Sequence, residues 1–141
     1  MRARAVIALA VATGLLAVAC GSGSAAPATT ATNLVVTLTD TTVQLSSVTI
    51  PPGRTTLTVV NKGTVVHSIV LLKTDLAHDK IPADAKDPAR VQETGSVAAT
   101  GQMAVGVTKE LVRDLAAGNY VFVCNEPAHY VVGMHTGLVV K

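Results

Sequence analysis

The 141-residue sequence has only two cysteines and almost no excess of charge of either sign. Eleven basic residues against nine acidic residues give a formal net charge of +2, whereas a protein that binds nucleic acid needs a concentrated positive surface. Nothing in this charge balance supports binding to nucleic acid. The sequence shows no internal repeat of fixed period, and its length is sufficient for one folded domain.

One extended apolar run is present, from Ala5 to Ala19, and it follows the positively charged Arg2 and Arg4. Positive charge, a short apolar run and small residues at its end are typical of a secretory signal, and the run is shorter than the roughly 20 residues of a membrane-spanning helix. The residues that end at Cys20 resemble a bacterial lipobox. We therefore predict a signal peptide over residues 1–19, removed before a lipid-bearing Cys20 that anchors the protein to a bacterial membrane outside the cytoplasm. Secretion without a lipid is the alternative.

The segment after Cys20 contains only Gly, Ser, Ala, Pro and Thr up to residue 32. Such a composition cannot bury enough apolar surface to offset the entropy of the chain. We predict that residues 20–32 form a flexible tether and that residues 33–141 form the folded domain.

Short runs rich in Val, Thr, Leu and Ile, separated by turn-forming residues, fill residues 33–141. These runs are typical of β-strands, and no long amphipathic helix is indicated. A single sheet would leave an apolar face in water, so we predict an all-β fold, a Greek-key sandwich of two antiparallel sheets. Residues 73–102 lack the pattern and are expected to form a long loop with one short helical turn. The candidate strands are 34–39, 43–50, 55–61, 65–72, 106–111, 119–124 and 136–140.

Cys124 is left without a partner if Cys20 carries a lipid. Oxidising compartments favour paired cysteines, and a single thiol there is open to oxidation unless a metal or deep burial protects it. The thiol begins a C-x4-H-x4-M pattern formed by Cys124, His129 and Met134, in which Pro127 and Gly133 favour a turn. Thiolate, imidazole and thioether donors together favour copper and exclude calcium and magnesium.

A copper site of this type needs a second histidine, and three others are available. His67 is a lone polar ring in the apolar run 65–72 and therefore needs a polar partner. His78 lies among charged residues, where a solvated surface position is expected. His135 follows Met134 directly, and adjacent residues of a strand point to opposite faces.

The turn at 61–63 followed by His67 in an apolar strand, and the strand 120–124 that leads into the C-x4-H-x4-M loop, together resemble the cupredoxin family of blue-copper proteins. This resemblance implies one copper ion per chain, alternating between Cu(I) and Cu(II). By the same resemblance, His67, Cys124 and His129 form a trigonal plane, and Met134 is a weak axial ligand. Ser68 stands where many members have Asn, and with Asn125 it is expected to contact the ligands from outside.

The resemblance also implies a monomeric, non-enzymatic carrier of single electrons between extracytoplasmic redox proteins. These partners are expected to dock on an apolar rim around His129 formed by Pro127, Ala128, Tyr130 and Val131. Copper storage or delivery without electron transfer is the main alternative. A multicopper oxidase or a copper nitrite reductase needs additional histidine pairs, and a zinc-filled or metal-free binding module also remains open.

Overall fold

Nine β-strands form the regular structure of residues 31–141, the part of the chain that this computed structural model describes. The predicted signal peptide, Cys20 and nearly all of the predicted tether lie outside the described residues. No helix within the described part is long and apolar enough to cross a bilayer. The strands are β1 (Thr32–Leu38), β2 (Val43–Leu45), β3 (Thr49–Ile50), β4 (Gly53–Asn61), β5 (His67–Lys73), β6 (Ser96–Met103), β7 (Thr108–Leu115), β8 (Gly118–Cys124) and β9 (His135–Val140).

The strands form two sheets, one with the order β2-β1-β4-β7 and the other with the order β3-β9-β8-β5-β6. This arrangement confirms the predicted all-β sandwich. The expectation of purely antiparallel sheets was wrong, because β1 pairs with β4 in parallel and β3 pairs with β9 in parallel. The chain leaves the first sheet after β2, passes through the edge of the second sheet as β3, and returns beside β1 in the same direction as β1.

The core between the sheets is built from strands whose side chains alternate in exposure. In β4, Thr55, Leu57 and Val59 are buried, whereas the intervening Thr56 and Thr58 are partly exposed. This period of two directs one face of the strand into the sandwich. The largest fully buried side chains of the core include Phe122, Leu34, Leu38, Leu57, Ile69 and Leu71.

Two local expectations are corrected. The second half of the predicted loop 73–102 is the strand β6, which pairs with β5, and no helical turn occurs in the first half of that loop. The burial of β6 alternates irregularly and its sequence contains Ala98, Ala99 and Gly101, so it lacks the periodicity that identifies a strand. The predicted strand 43–50 is divided between β2 and β3, which lie in different sheets.

The segment between β5 and β6 covers the outer face of the five-stranded sheet. Its residues Ile81 and Val91 form a second buried cluster with residues that point outward from β5 and β8. Both faces of β5 are therefore buried, which explains why its sequence is a nearly continuous apolar run. The outward-pointing members of this cluster are Val70, Leu72, Val121 and Val123.

Leu71 and Leu76 offer the same side chain in two environments, with relative exposures of 1% and 49%. We expect Leu71→Ala to lower the free energy of unfolding by about 2–5 kcal/mol, because the truncation leaves a cavity in the core. Leu76→Ala is the matched control and is expected to change it by less than about 0.5 kcal/mol. Denaturant unfolding of both variants measures the difference, and equal losses would contradict this account of the core.

Candidate metal centre

The antiparallel pairing of β5 with β8 brings the start of one strand beside the end of the other. Ile69 lies opposite Cys124 in this register, so His67 and Cys124 lie at the same end of the sheet. Ile69, Leu71 and Cys124 all belong to the core cluster between the sheets. Since His67 shares the strand face of Ile69 and Leu71, its ring also enters the interior, and it is fully buried.

Three donor atoms converge at this point. Cys124 Sγ lies 3.7 Å from His67 Nδ1 and 3.5 Å from His129 Nδ1, and the two nitrogens are 3.1 Å apart. A triangle with these sides has a circumradius of about 2.0 Å, close to the bond lengths of about 2.0–2.3 Å that a divalent transition metal makes with histidine nitrogen and cysteine sulfur. The donor set and its spacing therefore fit one copper ion.

Met134 closes the turn that carries His129. Its carbonyl accepts a hydrogen bond from the Cys124 backbone N–H at 2.9 Å, and its own N–H donates to the His129 carbonyl at 3.2 Å. The side chain is fully buried and belongs to the same core cluster as Cys124. The structure thus groups the donor atoms of His67, Cys124 and His129, and it fixes the backbone of Met134 to two of these residues.

Burial sets the protonation of the donors. It raises the pKa of the Cys124 thiol, and it lowers the pKa of His67, an effect to which the neighbouring His129 adds. A neutral imidazole is the form that binds a metal. A metal ion held by Cys124 would replace the thiol proton, so its binding would release a proton.

Asp40 lies behind His67, in the turn between β1 and β2. Its Oδ1 is 3.6 Å from His67 Nε2, a buried nitrogen with no hydrogen-bond partner among the described residues. Asp40 is held by Thr64, whose backbone N–H donates to Oδ1 at 2.6 Å and whose hydroxyl donates to Oδ2 at 2.8 Å; these bonds lower the pKa of Asp40. An ionised carboxylate here favours the tautomer with hydrogen on Nε2, which leaves Nδ1 free for a metal.

Gly63 keeps the space between this carboxylate and the imidazole open. A Cβ at position 63 would lie 2.3 Å from Asp40 Oδ1 and 2.6 Å from His67 Nε2, both too short for any side chain. Sequence reasoning identified the turn at 61–63 but did not identify Asp40. Asp40 lies 27 positions before His67 and on the other sheet, and no spacing pattern connects the two.

The side chain of Asn61 supports the loop that leads to His67. Its Nδ2 donates to the carbonyl oxygens of Val65 at 2.9 Å and Met103 at 3.0 Å, and its Oδ1 accepts from the Gly63 N–H at 2.9 Å. Asn61 is fully buried. One amide therefore satisfies polar backbone groups of two neighbouring loops and fixes their separation.

Ser68 and Asn125 connect the two strands that carry the ligands. The Asn125 backbone N–H donates to the Ser68 carbonyl at 2.8 Å. The Asn125 side chain binds both backbone groups of Val91 and donates to Glu93 Oε1 at 2.7 Å. Ser68 thus contributes a backbone link, and Asn125 joins the Cys124 loop to the segment that covers the sheet.

Three of the four residues predicted to form a docking rim are exposed. Pro127 and Ala128 are exposed, and Val131 has a relative exposure of 77%. Tyr130, which was predicted to lie on this rim, is instead buried in the second cluster. Its ring enters the sheet-covering segment because its hydroxyl can pair there, donating to the His78 carbonyl at 2.8 Å and accepting from the Ile81 N–H at 2.9 Å.

Ala128 adopts the left-handed conformation, with a φ of 65°, immediately before His129. This conformation costs a non-glycine residue energy and is found where the surroundings determine the backbone. Here the Ala128 N–H donates to the Ala89 carbonyl at 2.7 Å, and the His129 N–H donates to the Glu126 carbonyl at 3.1 Å. The backbone on both sides of the His129 ring is therefore fixed.

A two-sheet β-sandwich with a His-Cys-His set at one end, two of its residues buried and His129 half-buried, has the fold and the donor arrangement of the blue-copper cupredoxins. The family model described as the sulfocyanin (SoxE) domain matches residues 25–141. The chain belongs to the sulfocyanin (SoxE) domain family. A search of curated proteins returns no match.

Solved structures support the same fold. Reduced auracyanin from the photosynthetic bacterium Roseiflexus castenholzii is 26% identical, with a TM-score of 0.59, over 78% of this chain and 97% of that one. Reduced rusticyanin is 21% identical, with a TM-score of 0.64, over 79% of each chain. Auracyanin B is 21% identical, with a TM-score of 0.57, over 78% of this chain and 88% of that one.

Asp40→Asn tests the influence of the carboxylate on the centre. The substitution preserves the size of the side chain and removes a negative charge beside His67. We expect the copper-loaded variant to have a higher reduction potential, because the carboxylate stabilises the more positive Cu(II) state.

Asp114→Asn is the matched control for this measurement. Asp114 is exposed and lies opposite Arg54 in the β4–β7 register, at the other end of the sandwich, so the same change of charge is expected to leave the potential nearly unchanged. Redox titration followed by visible absorption measures both variants. Equal potentials for Asp40→Asn and the unmodified protein would exclude the proposed influence of Asp40.

Proposed function

We propose that this protein carries single electrons through one blue-copper centre, with His67, Cys124 and His129 as equatorial ligands and Met134 as the weak axial ligand. The observation that carries the proposal is the convergence of two imidazole nitrogens and one thiol sulfur to within 3.7 Å of one another, with two of the three residues buried. A copper ion in such a set supplies a one-electron couple between Cu(I) and Cu(II).

The surroundings of the ligands favour rapid electron transfer, because they limit movement when the charge of the centre changes. Cys124 is fixed by the pairing of β8 with β5, and His67 is fixed by the pairing of β5 with β6. His129 is fixed by the backbone bonds of its turn. The packed core around Cys124 excludes water and resists rearrangement. The expectation of rapid electron transfer does not depend on whether the protein strains the ligand geometry or copper–thiolate bonding produces it.

The half-buried His129 ring provides the route to the surface, since His67, Cys124 and Met134 are fully buried. Exposed apolar side chains stand in the loops next to the ligands. Such a patch suits brief contact with another redox protein, because weak encounter complexes bury small areas. The exposed apolar residues of these loops are Val65, Val66, Val131 and Val132, and the predicted rim residues Pro127 and Ala128 are exposed in the same loop as Val131.

The extracytoplasmic location of related cupredoxins agrees with the signal-like N-terminus. We propose that the domain acts as a monomer outside the cytoplasm, held at a bacterial membrane by a lipid on Cys20 and a flexible tether over residues 20–32. The lipobox resemblance and the Gly, Ser, Ala, Pro and Thr composition support this part of the proposal. The tether would let the His129 surface reach redox partners near the membrane.

Copper storage or delivery, the competing function, receives less support from the structure. A delivery protein must release its ion to a partner, which exposed ligands allow. Here His67 and Cys124 have no exposed surface, so release would require the ligand loop to open. The buried centre favours a retained ion that changes oxidation state in place.

Cys124→Ser tests the proposed function directly. We expect the unmodified protein to take up one Cu(II) ion with intense visible absorption that a reductant removes and an oxidant restores. The variant is expected to lose this absorption, because the colour arises from charge transfer between thiolate and copper. Tightly bound copper without colour in the unmodified protein would favour delivery, and unchanged absorption in the variant would exclude the ligand set.

Met134→Leu separates the axial ligand from the equatorial ones. Leucine has a similar volume but no sulfur donor, so the variant is expected to keep its copper and its visible absorption. We expect its reduction potential to rise, because loss of the thioether weakens the binding of Cu(II). Redox titration measures the shift, and a potential equal to that of the unmodified protein would show that Met134 is not a ligand.

A further inference from the structure

A second pair of histidines lies outside the proposed copper centre. His78, in the segment that covers the five-stranded sheet, and His135, the first residue of β9, have their Nδ1 atoms 2.7 Å apart. Their ring centroids are 4.9 Å apart. The two residues are 57 positions apart in the sequence. The sequence predicted a solvated surface position for His78 and a strand position facing away from Met134 for His135.

We propose that His78 and His135 form a second, open metal site that binds a divalent transition-metal ion, with water as its remaining ligands. Two bonds of about 2.0–2.1 Å at the right angle of a square-planar or octahedral site place two ring nitrogens about 2.9 Å apart, so the observed 2.7 Å, which is also a hydrogen-bond distance, requires only a small separation of the rings. The facing nitrogens of His67 and His129, in the proposed copper centre, are 3.1 Å apart. Cu(II) is expected to bind most strongly, followed by Zn(II) or Ni(II), since imidazole suits all three.

Neighbouring contacts fix the backbone of His78 and the ring of His135 without a metal. The Tyr130 hydroxyl donates to the His78 carbonyl and accepts from the Ile81 N–H, which fixes the backbone on both sides of the His78–Ile81 turn. The Tyr130 ring lies 4.7 Å from the His135 ring, centroid to centroid. The pair is therefore preorganised, which lowers the entropy cost of binding an ion.

The exposure and charge around the pair also suit an open cation site. His78 is exposed and His135 is half-buried, so water can occupy further coordination positions. Asp79 adds negative charge beside the pair, although its carboxylate also contacts Lys80 Nζ at 3.1 Å. His135 follows Met134 in sequence, yet its ring is paired with His78 and not with the ligands of the first centre.

The site is tested with Zn(II), added near neutral pH to full-length protein whose first centre is already filled with copper. Calorimetry is expected to show one further equivalent of bound zinc while the visible absorption of the first centre stays constant. His78→Ala and His135→Gln are each expected to weaken this binding at least about tenfold, because each leaves a single imidazole. His78 is exposed, so its replacement is expected to preserve the fold, which thermal unfolding checks.

Leu76→Ala, in the same surface segment, is the matched control and is expected to bind zinc like the unmodified protein. The proposal is overturned if the copper-loaded protein binds no equivalent of zinc. It is also overturned if His78→Ala binds zinc as tightly as the unmodified protein. The inference does not depend on electron transfer. If copper produced no colour at the first centre while zinc binding still required His78, the proposed function would fail and the second site would stand.

Discussion

The pairing register between β5 and β8 is the constraint on which the site depends. With Ile69 opposite Cys124, the ring of His67 and the thiol of Cys124 enter the same interior space at the same end of the sheet. A shift of one residue would turn the side chains of one strand to the other face of the sheet and separate the two donors. The apolar residues of both strands enforce this register, because both faces of the sheet are covered.

At the same end of the sandwich, polar contacts connect the two sheets. Asp40 comes from the β1–β2 turn of the four-stranded sheet, and its carboxylate contacts both the Thr64 loop and the buried edge of His67. Asn61, at the end of β4, holds the neighbouring loops. The donor set of the five-stranded sheet is thus oriented by polar groups of the other sheet, so packing between the sheets and the geometry of the site are coupled.

Short-range sequence patterns predicted much of the fold and of the candidate site. Alternation in β4 and the apolar run of β5 identified strands, and the C-x4-H-x4-M spacing located the ligand loop because its members are close in sequence. His67 was identifiable as a polar ring in an apolar strand. The irregular strand β6, the position of Asp40 and the contact between His78 and His135 depend on tertiary packing, and no periodicity encodes them. Tyr130 was misplaced because its hydroxyl partners lie about 50 residues earlier.

The complete burial of Cys124, the one cysteine of the described residues, has a consequence for the protein before it acquires metal. A thiol that keeps its proton and is shielded from oxidants reacts slowly, since the thiolate is the reactive species. The buried thiol of the folded chain is therefore expected to form mixed disulfides or sulfenic acid only slowly in an oxidising environment. A copper ion that arrives later would then find the sulfur still reduced.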